Sequence, residues 1–201
     1  MAVDRPFLLD IADNQCLFSL IAACNPRCEA IVALEPAPDF HARMARNFAT
    51  NGLDGRAQAQ CLGLSDQAGT QHIAASPRQS GMATLGAHLA RRDASTARIA
   101  VELREVADFV PYLRNGLPVF VKIDVEGHEA RVITKLLASP LAGRIMALFH
   151  EHDHRWSNGP AIENALAGAG FGIRRRYGPT RHHNVLALPR SMEPATPILA
   201  G

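Results

Sequence analysis

Glycine is missing where a phosphate-cradling loop would need it. The strand-like run "PFLLDI" (6–11) leads straight into "ADNQC" (12–16), and no GxGxxG follows. A pyrophosphate needs bare backbone at close range, so a nicotinamide dinucleotide is disfavoured and a ligand without phosphate is easier to place. Long apolar runs are missing too. No segment approaches the ~20 residues that cross a bilayer. Met1 is followed by Asp4 and Arg5 and then by a strand, not by the apolar region of a signal peptide. The expectation is a cytoplasmic chain with no membrane partner. An excess of one charge is also absent: the formal net charge is +2. With basic residues dispersed except near the C-terminus, there is no footprint for nucleic acid, and a small molecule is the expected partner. Cysteines are few, at 16, 24, 28 and 61, without paired CxxC spacing. Pro26 separates Cys24 from Cys28, so four reduced thiols are expected and no cysteine metal site.

What is present is a chain of 201 residues, 47% hydrophobic and 20% charged, enough to bury one full core. Short apolar runs alternate with helical patterns. "PFLLDI" precedes a helix at about 14–24, "EAIVALEP" (29–36) precedes a helix over 38–51, and "RAQAQCLGLS" (56–65) reads as a third strand. Phe40, Met44 and Phe48 fall at helical spacing, with Pro38 in the first turn and Asn51-Gly52 at the end. This β-α-β-α-β order predicts a parallel sheet with helices on both faces. Gly69 marks a turn before "TQHIAA", and residues 76–98 carry weak periodicity. "VADFVPYL" (106–113) suits a short helix. "LPVFVKID" (117–124) is the continuous apolar run of a strand buried on both faces. A helix follows, then a strand "GRIMALFHEH" (143–152), a helix at 161–170, and a closing hairpin from "FGIRRRYG" and "NVLALPR". A single domain over 1–190 and a tail over 191–201 are expected, without internal repeats.

Open α/β sheets bind ligands beyond the carboxyl ends of their strands. Asp10, Glu35, Ser65 with Asp66, Asp124, and His150 to His152 all fall at such ends. Glu35, 25 positions after Asp10, suits an acid that accepts hydrogen bonds from a ribose diol, or one that caps the following helix.

"FVKIDVEGHEARVI", with "ALEPAPDFHARMARNFATNGL", "LGLSDQAGT", "SGMATL" and "FHEH", resembles the FkbM-type methyltransferases in the same order from about residue 7 to 188. The resemblance implies a Rossmann-like seven-stranded, mostly parallel sheet with helices on both faces and an antiparallel last strand. It also implies S-adenosylmethionine as cofactor and transfer of its methyl to a hydroxyl of a small metabolite, sugar or polyketide-type acceptor. Asp10, Ala12 and Asn14 would border the methionine part, Glu35 the ribose, Leu64 with Ser65 or Asp66 the adenine, and Asp124 the transferred methyl. The first loop departs from the family's D-x-G-A-N-x-G. Ala12 and Cys16 stand in place of both glycines, and Asp13 brings a negative charge. Either the loop takes a different path or cofactor affinity falls. A methyltransferase-like binding domain without catalysis is therefore the alternative.

Methyl transfer from a sulfonium needs an aligned acceptor oxygen and a proton acceptor. Asp124, His128, Glu151 and His152 are the candidates, His128 doubling as a plain turn residue. Glu126 and Glu129 suit the dipole of the helix start. In "FHEHDHRW", alternation puts His150, His152 and His154 on one side and Glu151 with Asp153 on the other. Asp124, His150 and His152 could then converge on a divalent metal, against a plain polar loop. Arg91, Arg92 and residues 174–176 could meet an anionic acceptor. A homodimer is compatible with the sequence.

Overall fold

The computed structural model describes residues 5–76, 79–84, 97–110, 113 and 116–192, with side chains described except at 74–84 and 97. The expected positions Arg91 and Arg92 and most of the tail lie outside them. Strands β1 (Phe7–Ile11), β2 (Ala30–Leu34) and β3 (Ala57–Gln60) alternate with helices α1 (Leu17–Ala23) and α2 (Pro38–Thr50). After a second group of strands come α3 (Val106–Phe109), β8 (Val119–Ile123), α4 (Glu129–Ala138), β9 (Ile145–Asp153), α5 (Gly159–Gly168), β10 (Phe171–Tyr177) and β11 (His182–Pro189). The main sheet has the order β10-β11-β9-β8-β1-β2-β3. Its strands β9, β8, β1, β2 and β3 pair in parallel, and β11 runs antiparallel to both neighbours. This is the expected Rossmann-like α/β sheet with a reversed last strand.

Alternation along the strands divides two cores. Phe7, Leu9, Ile11, Val121, Ile123 and Leu148 meet Val132, Ile133 and Leu136 of α4 and Ile162 and Leu166 of α5. On the opposite face Leu8, Ile31 and Ala33 meet Met44 and Phe48 of α2 and Leu20 of α1. Phe40, Met44 and Phe48 form the buried stripe of α2, as their spacing predicts. The central strands are covered on both sides, so the carboxyl ends of β1, β2 and β8 are where the chain must leave the sheet.

The stretch 56–65 corrects the sequence reading. It is two strands in two sheets, not one. β3 ends at Gln60, and β4 (Gly63–Ser65) joins β7 (Ala97–Glu105), β5 (Gly69–Ser76) and β6 (Gln79–Thr84) in the order β4-β7-β5-β6. Gly63 allows the crossing, since a Cβ there would lie 2.7 Å from Leu103 Cδ2. A small third core of Ala37, Phe40, Ile73, Val101 and Leu103 joins this sheet to the start of α2. The first predicted helix is shorter than its pattern and begins at Leu17, because the loop before it is left-handed; of the one expected at 106–113, Val106–Phe109 is an α-helix and residues 111 and 112 lie outside the described residues.

Candidate active site

The loop after β1 keeps a glycine-like path without glycine. Ala12, Asn14 and Cys16 have φ of 60°, 55° and 70°. The left-handed region costs an L-residue roughly 1–2 kcal/mol, so something must hold it there. Beneath the loop, Lys122 Nζ donates to the Ala12 carbonyl at 2.7 Å and forms an ion pair with Asp10 Oδ1 at 3.3 Å. Asp10, fully buried, also accepts from Ser19 Oγ at 3.1 Å. Burial works against the Lys122 ammonium, but Asp10, Asp124 and Asp13 outweigh it and hold its pKa above the ordinary lysine value. Asp13 turns inward rather than toward the cleft. Burial, then the Asp10 carboxylate, push it up to about 9, so it is neutral at pH 7 and brings no repelling charge.

Glu35, at the tip of β2, is buried and accepts from the Asn14 amide at 3.0 Å and the Ala37 amide at 2.9 Å. Burial raises its pKa, and these two bonds oppose the rise. Its carboxylate holds the start of α2, as the capping reading expects, and also lines a cleft. That cleft is lined by Ala12, Asn14, Glu35, Pro36, Phe40, Asp124 and Glu126. Asp10 lies under it instead of on its wall.

Beyond β8 the acids gather. Asp124, Glu126 and Glu151 each offer an oxygen within 4.8 Å of the others. Glu126 has φ 50° and a pKa of about 8, raised by burial first and then by Glu151, Asp124, Glu129 and Asp153. Glu151 is raised by burial and Asp124, while its partner His182 pulls it down. Glu129 is structural: Oε1 accepts from the Val125 and Gly127 amides at 3.2 and 3.0 Å, clamping the turn into α4. Gly127 has φ 100°, and a Cβ there would lie 3.1 Å from Trp156 Cδ1. Gly127→Ala is expected to destabilise the fold by about 2 kcal/mol, measured by urea unfolding.

The raised Glu126 pKa has a sign. The folded state holds its proton between about pH 4.5 and 8, where the unfolded chain has lost it, so stability falls as pH rises through that window. Glu126→Gln is expected to match the wild type at pH 4.5 and to melt higher at pH 8, each 1 kcal/mol giving roughly 2–4 °C. Thermal melts at the two pH values check this.

The histidines divide between faces. His128 Nε2 lies 2.8 Å from Ser65 Oγ, which donates to Asp66 Oδ1 at 3.0 Å, and Asp66 pairs with Arg131 at 3.3 Å. With the Ser65 proton spent on Asp66, Nε2 is the donor. Burial depresses the His128 pKa. Leu64 and Ser65 are buried on β4. The expected convergence of Asp124 with His150 and His152 does not occur. Residues 150 and 152 lie within β9 and point to the face opposite Glu151, as period-two alternation requires. His150 is buried with Nδ1 at 2.9 Å from the Glu151 carbonyl, and burial lowers its pKa to about 4. His152 packs edge-on to His154. The three-acid set with Asp124 consists of carboxylates only.

Comparison with known proteins bears on this site. The profile of the methyltransferase FkbM domain matches residues 10–173. The chain belongs to the FkbM methyltransferase domain family. It is similar to "Methyltransferase sdnD" of Sordaria araneosa, 32% identical over 155 residues, which cover 64% of this chain and 60% of that protein. The crystal structure of Methyltransferase FkbM from Methylobacillus flagellatus superposes with a TM-score of 0.59 at 14% identity, covering 94% of this chain and 44% of that one. The B. subtilis M1A22 tRNA methyltransferase TrmK superposes at 0.53 with 11% identity, covering 91% and 59%. These structural likenesses concern fold. The chain spans about 60% of the length of the curated relatives it matches. No helix among the described residues is long and apolar enough to cross a membrane.

Within this FkbM domain, sequence reasoning missed Lys122, the cation beneath the first loop, and read Glu126 only as part of a helix start. Both had signals. A lysine inside "VFVKI" must find buried anions, and a Glu-Gly pair after a strand marks a turn that presents the Glu.

Proposed function

We propose that this chain is an S-adenosylmethionine-dependent methyltransferase domain acting on a hydroxyl of a small metabolite, sugar or polyketide-type acceptor. The observation that carries the reading is the meeting of Ala12, Asn14, Glu35 and Asp124 around one cleft at the ends of β1, β2 and β8 in a member of this family. The cleft suits the cofactor's chemistry. Asp124 and Glu35 line it with acidic groups, Glu126 adds a carboxyl that holds its proton at neutral pH, and none of its described lining residues is basic, which favours a ligand bearing a sulfonium and an ammonium. When bound, the cofactor supplies an electrophilic methyl group. The chain's own residues bind and align: Glu35 receives the ribose diol, and Asp124 stands beside the reacting centre. Glu151, backed by His182, takes the proton of the acceptor hydroxyl. His128 steadies the Ser65–Asp66 side, and His152 has no part in proton transfer.

The acid cluster also favours a small hydroxyl acceptor over RNA, because carboxylates at the mouth repel a phosphate backbone. Titration of the full chain with S-adenosylmethionine and its demethylated product tests the reading. Binding tighter than about 100 μM supports it, and no heat at millimolar ligand rejects it.

The alternative, a binding domain without catalysis, rests on Ala12 and Cys16 holding glycine conformations. Ala12→Gly separates the two. It is expected to relieve about 1 kcal/mol of backbone strain and to tighten cofactor binding several-fold. If methyl transfer occurs only in the restored protein, the natural chain is a binding domain.

A further inference from the structure

Asp13 is the one residue of the first loop whose side chain the proposed reaction does not use, and its backbone is fastened at both ends. Its amide donates to the Leu34 carbonyl at 3.1 Å, and its carbonyl accepts from the Cys16 amide at 3.0 Å. On either side, Lys122 holds the Ala12 carbonyl and Glu35 holds the Asn14 amide. Three successive residues of the left-handed path are therefore anchored. The Asp13 side chain is 4% exposed and lies against the Asp10 carboxyl. Among the described residues no hydrogen-bond donor reaches either Asp13 oxygen, and Asp10 Oδ1 has only its ion pair with Lys122. Ser19 has one hydroxyl proton and gives it to Asp10 Oδ2. Orphaned buried oxygens cost free energy, and two buried carboxyl groups in contact do not both ionise beside a single ammonium.

We propose that Asp13 is a positioning residue for the cofactor loop, holding a proton that it donates to Asp10 and so pinning the turn between Ala12 and Asn14. The inference rests on the proposed cofactor cleft, whose wall Ala12 and Asn14 help to form. A hydroxyl on Asp13 and the orphaned oxygen of Asp10 satisfy one another. With that proton in place, Asp10, Asp13 and Lys122 sum to zero charge. Without it they bury one net negative charge. The groups facing Asp13 offer no second cation: they are Asp10 from β1, Lys122 from β8, Ser19 from α1 and Cys16 from the loop itself, whose thiol burial pushes above the ordinary cysteine range. Glu35 from β2 and Asp124 beyond β8 act on Asp10 and Lys122 in turn and add only negative charge. Burial, then the Asp10 carboxylate, hold the Asp13 proton up to about pH 9. As pH rises through that value the two carboxylates repel, the turn is released, and donor affinity falls. The family pattern has Ala at this place and glycines at 12 and 16, which take a left-handed path unaided. Here Ala12 and Cys16 do not, and the carboxyl at 13 supplies an anchor.

The test is calorimetric titration of the full chain with the cofactor's demethylated product across the alkaline range, for the wild type, Asp13→Asn and Asp13→Ala. Asparagine keeps a donor for Asp10 and has no proton to lose, so that variant follows the ligand's own titration alone. Beyond that common change, the wild type should lose about tenfold in affinity between about pH 8 and pH 10, the fall that a pKa of about 9 gives. At neutral pH, Asp13→Ala should bind roughly tenfold more weakly than Asp13→Asn. A wild-type profile parallel to that of Asp13→Asn overturns the proposal, and so does Asp13→Ala binding as tightly as the wild type. Carbon-detected NMR of the ligand-free chain reads the same device without the ligand. The Asp13 carboxyl carbon and the Ala12 carbonyl carbon should move together with a midpoint near pH 9, and in Asp13→Asn the Ala12 signal should stay in place. An Asp13 carboxyl that titrates in the ordinary aspartate range, or an Ala12 carbonyl indifferent to it, overturns the proposal. A chain that binds no donor fails the reaction reading, and the carbon shifts still decide whether Asp13 holds the loop.

Discussion

Replacing Lys122 with Met is expected to cost the fold about 3–5 kcal/mol, the usual penalty for stranding one half of a buried ion pair. Lys122 is 6% exposed, and its ammonium serves both Asp10 and the Ala12 carbonyl. Methionine fills the same space and removes both interactions. Asp10 is then a charge without a cation in a core that also holds Asp13. The first loop loses the bond that draws Ala12 into its left-handed turn, so cofactor affinity should fall along with stability. Adding Asp10→Asn removes the stranded charge and should restore part of the loss. Urea unfolding of the two single variants and the double variant gives the coupling energy directly. Strict additivity would mean that the pair does not act as one unit.

The second large effect concerns binding more than folding. Glu35→Gln keeps the shape of the side chain and one carbonyl acceptor for the Asn14 and Ala37 amides but removes the charge. Hydrogen bonds to charged groups contribute about 1.5–3 kcal/mol, so S-adenosylmethionine affinity should drop roughly 10–100-fold. Asp124→Asn, which also lines the cleft, should reduce methyl transfer by at least a similar factor. Calorimetric titration alongside a thermal melt separates the outcomes. Affinity lost with the melting temperature nearly kept supports the binding role, whereas a collapse of both assigns Glu35 to holding the start of α2 alone.

The strands of the main sheet were legible because their physics is local. "FLLDI", "AIVAL" and "VFVKI" are short apolar runs bounded by polar turns, and each is buried almost throughout. The strand-end acids Glu35 and Asp124 were legible for the same reason, since the architecture turns a sequence position into a place in space. The second sheet was not. Its first strand follows β3 after a gap of two residues, and only the glycine at 63, packed against Leu103, separates them. Side-chain direction near the site was legible in part. Alternation in "FHEHDH" put Glu151 and His152 on opposite faces, but which face met Asp124 depended on how β9 lies beside β8. The loop at 12–16 was legible in composition and not in conformation, because its left-handed path comes from Lys122, 110 residues away.

The reversal of β11 makes two adjacent histidines serve unrelated neighbourhoods. His182 reaches Glu151 on one surface of the strand, and His183 sits beside His152 on the other. What keeps them apart is the span from Gly178 to Arg181 between the last two strands. That span works as a measuring rod: lengthening it by a single residue would present His183 to Glu151, His182 to His152 and Arg181 to Asp153, whereas lengthening it by two would preserve which surface each residue meets. In this chain the length of a surface hairpin therefore governs the wiring of its interior, and relatives with hairpins of odd offset should carry their histidines one place along.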